Sequence, residues 1–490
     1  MSEEQKLPLT VKAGWATGAV GVAVLMNGIS ALMLFYLTNV VGLEPAVAGT
    51  ILFLSKVYDA VTDPLSGHLS DKTQGKMGRR RPWLLGGAII SALSFLLVFT
   101  VPFQGPFESI WSGEGLATIS YVLIMLLLYT SGYSMFNVPY MAMPAEMTDG
   151  YHERSSIHGW RVIFASVGGF AVQTGGTVIL ERLGKGADAY STLAIAGSAA
   201  ILVTMLIAFW STKNAPYHPQ SDVKLPFKEQ VQGFLDNKAF QQILGVKLVQ
   251  LIGIAASSGG LIFLFVNVLN VPLDQATVSL AIGMAIAVFG MTPVLVRLSK
   301  TIGKRGGYFL SAVFTGAAAL SWMLAYPDPP YWPLGSGEDP FKFYYWYAVR
   351  GLATGIAFSG NVLFAMSMLS DAMEADAHRT GMRREGMYSA LYSFVEKLAA
   401  AVGPLILGGA LQVAGYDPKA TGLATEDVRQ AVLVGISYVP AAMAVIACII
   451  LLFYKLDENA LKALRANGSR VKPAEPPQDT ATGAVPDPAE

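Results

Sequence analysis

Apolar stretches of about 20 residues recur from one end of the chain to the other, each long enough to cross the roughly 30 Å hydrocarbon core of a bilayer as a helix. With 53% of its 490 residues hydrophobic and 14% charged, the chain has too little charge to cover a soluble surface of that size. In lipid every backbone N–H and C=O has to be paired inside the element, and helices of this length do that. The expected fold class is therefore all-α and integral to the membrane, with about twelve spans. They are predicted over residues 14–40, 46–70, 82–103, 117–142, 158–181 and 191–212, then 239–268, 275–299, 307–326, 342–369, 386–413 and 428–454. The first run is too long for a signal-peptide core and lacks a small-residue cleavage site, so it reads as a retained helix.

Residues 213–238 interrupt this pattern. They are polar, contain Pro216, Pro219 and Pro226, and overlap an amphipathic stretch from Leu225 to Phe240 suited to lie along a membrane surface. The segment reads as a cytoplasmic linker between an N-terminal bundle (1–212) and a C-terminal bundle (239–454), six spans in each. The tail, 455–490, starts as a short amphipathic helix and becomes Pro-, Ala- and acid-rich from Pro473, the composition of a disordered end.

Basic residues are retained on the cytoplasmic side during insertion. With an even number of spans, Lys72, Lys76, Arg79, Arg80, Arg81, Lys213, Lys224, Arg297, Lys304, Arg305, Arg383 and Arg384 collect on one face, against Arg182, Lys185, Lys342, Lys419 and Arg429 on the other. Both termini are then cytoplasmic, and the expected location is the inner cell membrane. The basic loop after span 2, with Gly78-Arg79-Arg80-Arg81, is echoed six spans later by Gly303-Lys304-Arg305, which suggests duplication.

Other classes are excluded. The net charge of zero does not suit nucleic acid, and the single cysteine, Cys448, cannot form an internal disulfide and reads as a small core residue. The chain has no phosphate-cradling Gly-Lys-Ser/Thr loop and no metal-spaced Cys/His cluster, so neither an enzyme nor an ATP-driven pump is expected.

Charge inside a span costs several kcal/mol, which makes each ionisable residue there a functional candidate. Span 2 carries Lys56, Asp59 and Asp63; Arg161 lies on span 5, Lys247 on span 7, Arg350 on span 10, and Glu396 with Lys397 on span 11. Asp59 and Asp63 are four residues apart and stack on one helix face, with Thr62 beside them. Two carboxylates so placed suit a proton or a hard cation such as Na⁺, unless Lys56 simply neutralises one of them. Pro64 interrupts the backbone ladder directly after, exposing carbonyls as further ligands or as a hinge. Arg161 and Lys397 must face the bundle interior and find an anion or polar partner: a substrate group, the span 2 carboxylates, or a fixed salt bridge, for Lys397 with its neighbour Glu396. Lys247 and Arg350 lie nearer helix ends and read as snorkelling to the interface. On span 4, Gly132 to Tyr140 combines Pro139 with Tyr133, Ser134 and Asn137, either lining a substrate cavity or joining helices.

The run Tyr58-Asp59-Ala60-Val61-Thr62-Asp63-Pro64-Leu65-Ser66-Gly67, followed by Gly78-Arg79-Arg80-Arg81-Pro82-Trp83 and by Val138-Pro139-Tyr140 with Glu153-Arg154, resembles the glycoside-pentoside-hexuronide:cation symporters of the major facilitator superfamily, the group containing melibiose permease. The resemblance continues through Tyr388-Ser389 to Lys397 and Gly415-Tyr416. It implies two pseudo-symmetric six-helix bundles and cation-coupled alternating access. By position, Asp59 and Asp63 match the cation-binding carboxylates, holding Na⁺ or H⁺, with Thr62 and Ser134 as further oxygen ligands. Arg161 and Lys397 match charged cavity residues; Tyr133, Asn137 and Ser393 complete the substrate set, and Gly67, Asp71, Arg79 and Arg80 form a gating loop. The implied substrate is a glycoside, sugar or sugar acid, imported by a monomer in contact with membrane lipid and needing no cofactor beyond the coupling cation.

Melibiose-type members place sugar-binding aspartates on spans 1 and 4 and a stacking tryptophan nearby, where this chain has Ala23, Asn137 and Met141. A related branch carries lysophospholipids with sodium. The missing carboxylates, together with Met26, Met33, Met135, Met141 and Met143, keep an amphiphile open as the alternative substrate.

Overall fold

The computed structural model describes residues 7–75, 77–102, 105, 111–148, 151–213, 215–216, 227–325, 340–380, 385–418, 420, 424–456 and 458–468. Lys76, Pro219, Lys224, Leu225, Pro226, Arg383, Arg384, Lys419 and the tail from Pro473 lie outside the described residues.

All the described regular elements are helical. Helix 1 runs Leu9–Phe35 and widens into a π-turn over Tyr36–Val40; helix 2 is Pro45–Lys72, helix 3 Arg81–Val98 and helix 4 Gly113–Met147. Helix 5 is built from Tyr151–Phe170, the π-turn Ala171–Gly176 and Thr177–Arg182, and helix 6 is Ala187–Ser211. A short helix, Phe227–Asp236, falls between the halves. Helix 7 is Lys238–Phe263 with a π-turn Leu264–Val268, helix 10 Pro340–Thr380 and helix 11 Glu385–Val413. Helix 12 joins Glu426–Leu433, Val434–Tyr438 and Val439–Leu452, and the short helix Glu458–Gly468 follows it.

Spans 8 and 9 differ from expectation. Helical structure runs from Leu273 to Leu320 and is broken only at Gly303, whose φ of 73° lies in the left-handed region that glycine adopts without a Cβ penalty. We call the part before Gly303 helix 8 and the part after it helix 9. The chain turns there on one residue instead of over a loop of several.

Ten described stretches are both long and apolar enough to cross a membrane, the longest holding helices 8 and 9 together. Helix 2, at 28 residues, is long enough, but Lys56, Asp59 and Asp63 make it too polar to count with them. Splitting the long stretch and adding helix 2 gives twelve spans.

Apolar packing is not even across the molecule. One buried cluster fills the first half and crosses into the second through Phe263, Leu264, Leu273, Leu407, Tyr416 and Ile436. All of these lie towards the ends of helices 7, 8, 11 and 12 remote from the Arg79 loop. A second cluster, with Phe240, Tyr308, Phe364, Tyr388 and Tyr454, belongs to the other half alone and sits towards the basic face. Between helices 2 and 11 the backbones touch: a Cβ at Gly49 would stand 2.7 Å from the Pro404 carbonyl oxygen. Among the described residues, the hydrogen bonds joining the halves follow the same division. Tyr416 donates to Asn39 at 2.6 Å, Gln412 to Glu44 at 3.3 Å, the Leu273 amide to Glu181 at 3.0 Å, and Thr177 and Thr277 share a bond of 2.7 Å. These four are at the face remote from the basic loops, and a fifth, from Lys397 to the Asp59 carbonyl at 3.0 Å, lies deeper in the interface. The halves are thus closed at that face and separate towards the basic one.

Candidate functional site

Asp59 and Asp63 stand where the closed part of the interface ends. Asp59 is 3% exposed, on the side of helix 2 that meets helix 4, and Ser134, fully buried, donates to its Oδ1 at 3.2 Å. Thr62 shares a hydrogen bond of 3.1 Å with Ser134 and donates to the Asp59 carbonyl at 3.2 Å. Four side-chain oxygen donors, two carboxylates and two hydroxyls, therefore converge from two helices of one half. Asp63 Oδ1 is buried without a hydrogen-bond partner, an acceptor that a ligand can satisfy.

The opposite half supplies one charge to this cluster. Lys397 of helix 11 forms ion pairs with Asp63 Oδ2 and, at 3.2 Å, with Asp59 Oδ1, and donates to the Asp59 backbone carbonyl at 3.0 Å. Its ammonium group thus sits against the oxygens that a coupling cation would need. Of the alternatives the sequence leaves for Lys397, its neighbour Glu396 is not the partner. Lys56 lies with its ammonium 5.8 Å from the centre of the Tyr129 ring. Pro64 removes the amide that would bond to the Ala60 carbonyl, one residue along from the carbonyl that takes Lys397.

Beyond the pair, the N-terminal half presents softer groups. Tyr133 donates to the Met26 thioether at 3.3 Å and accepts from Asn137 at 3.1 Å. The Arg161 guanidinium reaches the Met141 thioether at 3.2 Å, and its Nε is buried without a partner. Ser393 lies one turn before Lys397, on the same face of helix 11.

The gating-loop residues form a separate cluster at the basic face. Glu146, at the end of helix 4, accepts from Arg79 at 2.6 Å and from Arg80 at 2.8 and 3.0 Å. Arg80 also pairs with Asp71 at 2.7 Å. Gly67 of helix 2 faces Val138 of helix 4, which a Cβ there would meet at 3.4 Å, an ordinary contact. A cavity of about 610 Å³ opens beside this loop, lined by Asp71, Arg79, Arg81, Glu146 and Lys213, away from the aspartate pair. The sequence singles out the basic members of this cluster and misses Glu146, whose signal is an acid at the end of span 4, one loop away from an arginine run.

Two of the intramembrane cations are placed differently from expectation. Lys247 is 3% exposed and donates to Gln250 at 2.9 Å; about 13 Å of helix separate it from Lys238, too far for its side chain to reach the surface. Arg350, also 3% exposed, lies between the rings of Trp322 and Trp346, 4.2 and 4.5 Å from their centres, and donates to the Ser321 carbonyl at 2.6 Å. Protein encloses both, so neither snorkels.

Residues 14–458 match the family described as MFS/sugar transport protein. The chain belongs to that family. It is 25% identical over 466 residues to the putative glycoside/cation symporter YagG of Escherichia coli (strain K12), with 94% of each chain covered. To the isoprimeverose transporter of Lactiplantibacillus pentosus it is 24% identical over 450 residues, covering 89% of this chain and 86% of that one. Among solved structures it superposes on a bacterial homolog of the human lysosomal transporter Spinster with a TM-score of 0.58 at 16% identity, covering 93% of this chain and 96% of the other. The chain is a multi-pass membrane transporter with the major facilitator fold, and not an enzyme.

Proposed function

We propose that the protein imports a glycoside, sugar or sugar acid together with Na⁺, by alternating access between its two halves. The observation that carries this reading is the contact between Lys397 and the Asp59–Asp63 pair, made across the two halves beside the hydroxyls of Thr62 and Ser134. Two carboxylates and two hydroxyls offer the hard oxygen set that suits Na⁺. A proton would need one carboxylate and neither hydroxyl.

In the mechanism we infer, Lys397 neutralises the aspartates while the carrier is empty, so that no unpaired charge is sealed in the membrane when the halves rock. Na⁺ entering the oxygen cluster displaces the ammonium group, which is freed towards the cleft and the substrate. Each ligand then raises affinity for the other, because each favours the same arrangement of Lys397. We assign the basic face to the cytoplasm from its lysines and arginines. The halves separate on that side, which corresponds to an inward-open state, and residues 213–238 serve as the linker between two six-helix bundles. The substrates in the names of the glycoside and isoprimeverose relatives support a sugar over a lysophospholipid.

The test is uptake into proteoliposomes of purified protein. Inward Na⁺ gradients should drive accumulation of a radiolabelled glycoside, and proton gradients alone should not. Equal accumulation under a proton gradient without Na⁺ would replace Na⁺ by H⁺, and accumulation that needs neither ion would remove coupling from the account.

A further inference from the structure

Helix 11 places Ser389, Ser393, Glu396 and Lys397 within one stripe, at steps of four, three and one residues. Lys397 turns to helix 2. Glu396 is set off by about 100° around the axis and takes a different direction. It is exposed, and it stands within electrostatic reach of Arg161 on helix 5, Tyr133 on helix 4, and Lys247 on helix 7. A side chain can be near helices 4 and 5 of one half and helix 7 of the other only from the space between the halves, so its exposure is to the cleft and not to lipid. The Tyr392 hydroxyl, one turn back, is its hydrogen-bonding neighbour. Among the described residues Glu396 has no ion pair.

Two features show that the space in front of this carboxylate is arranged for a ligand. Behind it, Lys247 is locked: Gln250 Oε1 accepts from Lys247 and from the Tyr308 hydroxyl, both at 2.9 Å, so a fixed positive charge offsets a carboxylate held at this depth. In front, among the described residues, Arg161 holds only a thioether and keeps its buried Nε without a partner. A guanidinium with a donor to spare and a carboxylate with lone pairs to spare thus lie within electrostatic reach of each other from opposite halves, with no ion pair between them among the described residues. A polyhydroxylated ring satisfies both, since each hydroxyl donates to the carboxylate and accepts from the guanidinium. Asp59 and Asp63 are engaged with Lys397, or with Na⁺ once it displaces the lysine, and cannot serve.

We propose that Glu396 is a sugar-binding residue of this carrier, accepting substrate hydroxyls from the second half opposite Arg161, with Lys247 as the residue that positions its charge. The assignment rests on the sugar reading above. It gives closure a cause as well, because a ligand held at both ends draws the halves together.

The experiment measures binding of p-nitrophenyl β-xyloside, β-glucoside and β-glucuronide to the purified full chain in Na⁺, by thermal shift and by fluorescence titration. Glu396→Gln should keep the wild-type Na⁺-induced thermal shift and lose about ten- to a hundredfold in affinity for whichever glycoside wild type binds best. Glu396→Asp, which keeps the charge and shortens the reach, should fold as wild type and fall between the two. Should Glu396→Gln not survive purification, Glu396→Asp decides: wild-type affinity in it overturns the assignment. Wild-type affinity in Glu396→Gln overturns it and leaves the sugar reading standing. A wild-type protein stabilised by none of the three glycosides but by lysophosphatidylcholine overturns the sugar reading, and this assignment with it.

Discussion

Helix 2 and helix 8 hold the same place in the two halves, and they differ in the residues that matter most. Each carries a proline, Pro64 and Pro293, and each is followed by a glycine with positive φ, Gly78 at 81° and Gly303 at 73°. Two basic residues come next in both, and in each case an acid on a later helix is bound. Arg79 and Arg80 bind Glu146 of helix 4, while Lys304 binds Asp371 of helix 10 at 2.6 Å. Before the proline the correspondence ends. Where helix 2 has Asp59 and Asp63, the positions at the same distance from Pro293 are Val288 and Thr292. The Asp63 carboxylate reaches across to Lys397, whereas the Thr292 hydroxyl folds back onto the carbonyl of Val288 at 2.5 Å. The frame is shared and the charge is one-sided. A rocking carrier needs symmetry in its hinges and loops, whereas the cation site proposed above needs its acids in one place, and of these two helices only helix 2 carries them.

The sharpest way to break this comparison is to remove the acids. Asp59→Asn and Asp63→Asn should each lower cation-driven uptake by about a hundredfold or more while leaving insertion and the elution profile intact, read in proteoliposomes. Removing the lysine should act in two opposite directions. Lys397→Ala should abolish accumulation, because the empty carrier is left with unpaired acids, and should tighten Na⁺ binding by about tenfold or more, because the competing ammonium is gone. The two basic loops predict a smaller contrast in thermal unfolding. Glu146 is 6% exposed and serves two arginines, so Glu146→Gln should cost about 2–4 kcal/mol. Lys304 is 44% exposed in its pair with Asp371, so Asp371→Asn should cost about 1 kcal/mol or less. Smallest of all, Thr292→Val should leave uptake unchanged and shift stability by less than about 1 kcal/mol, since among the described residues its hydroxyl bonds only within its own helix.

Much of this is legible in the sequence, for one reason. Lipid makes a polar residue expensive, so run length shows the spans and each surviving charge marks a place with a task. Asp59, Asp63, Arg161 and Lys397 stand out in this way. What the sequence hides is direction. Lys397 and Glu396 are adjacent and invite pairing, yet a helix turns them apart, and the lysine finds its partners far back along the chain, Asp59 338 positions away. Lys247 and Arg350 look close enough to helix ends to escape, but Gln250 holds the first and a pair of tryptophans encloses the second. At Gly303 the sequence shows a polar interval, and the structure replaces it with one glycine because a positive φ reverses the chain without a loop. Glu146 is hidden differently: its arginines are 66 and 67 residues away, and the packing of helix 3, which they precede, against helix 4 brings them to it.

The most direct measurement is calorimetric titration of Na⁺ into the purified protein, compared among wild type, Asp63→Asn and Lys397→Ala. Competition of lysine and cation for one set of oxygens predicts a single Na⁺ per chain in wild type, none in Asp63→Asn and tighter binding in Lys397→Ala. Unaltered Na⁺ binding in Asp63→Asn, or weaker binding once Lys397 is removed, would contradict it.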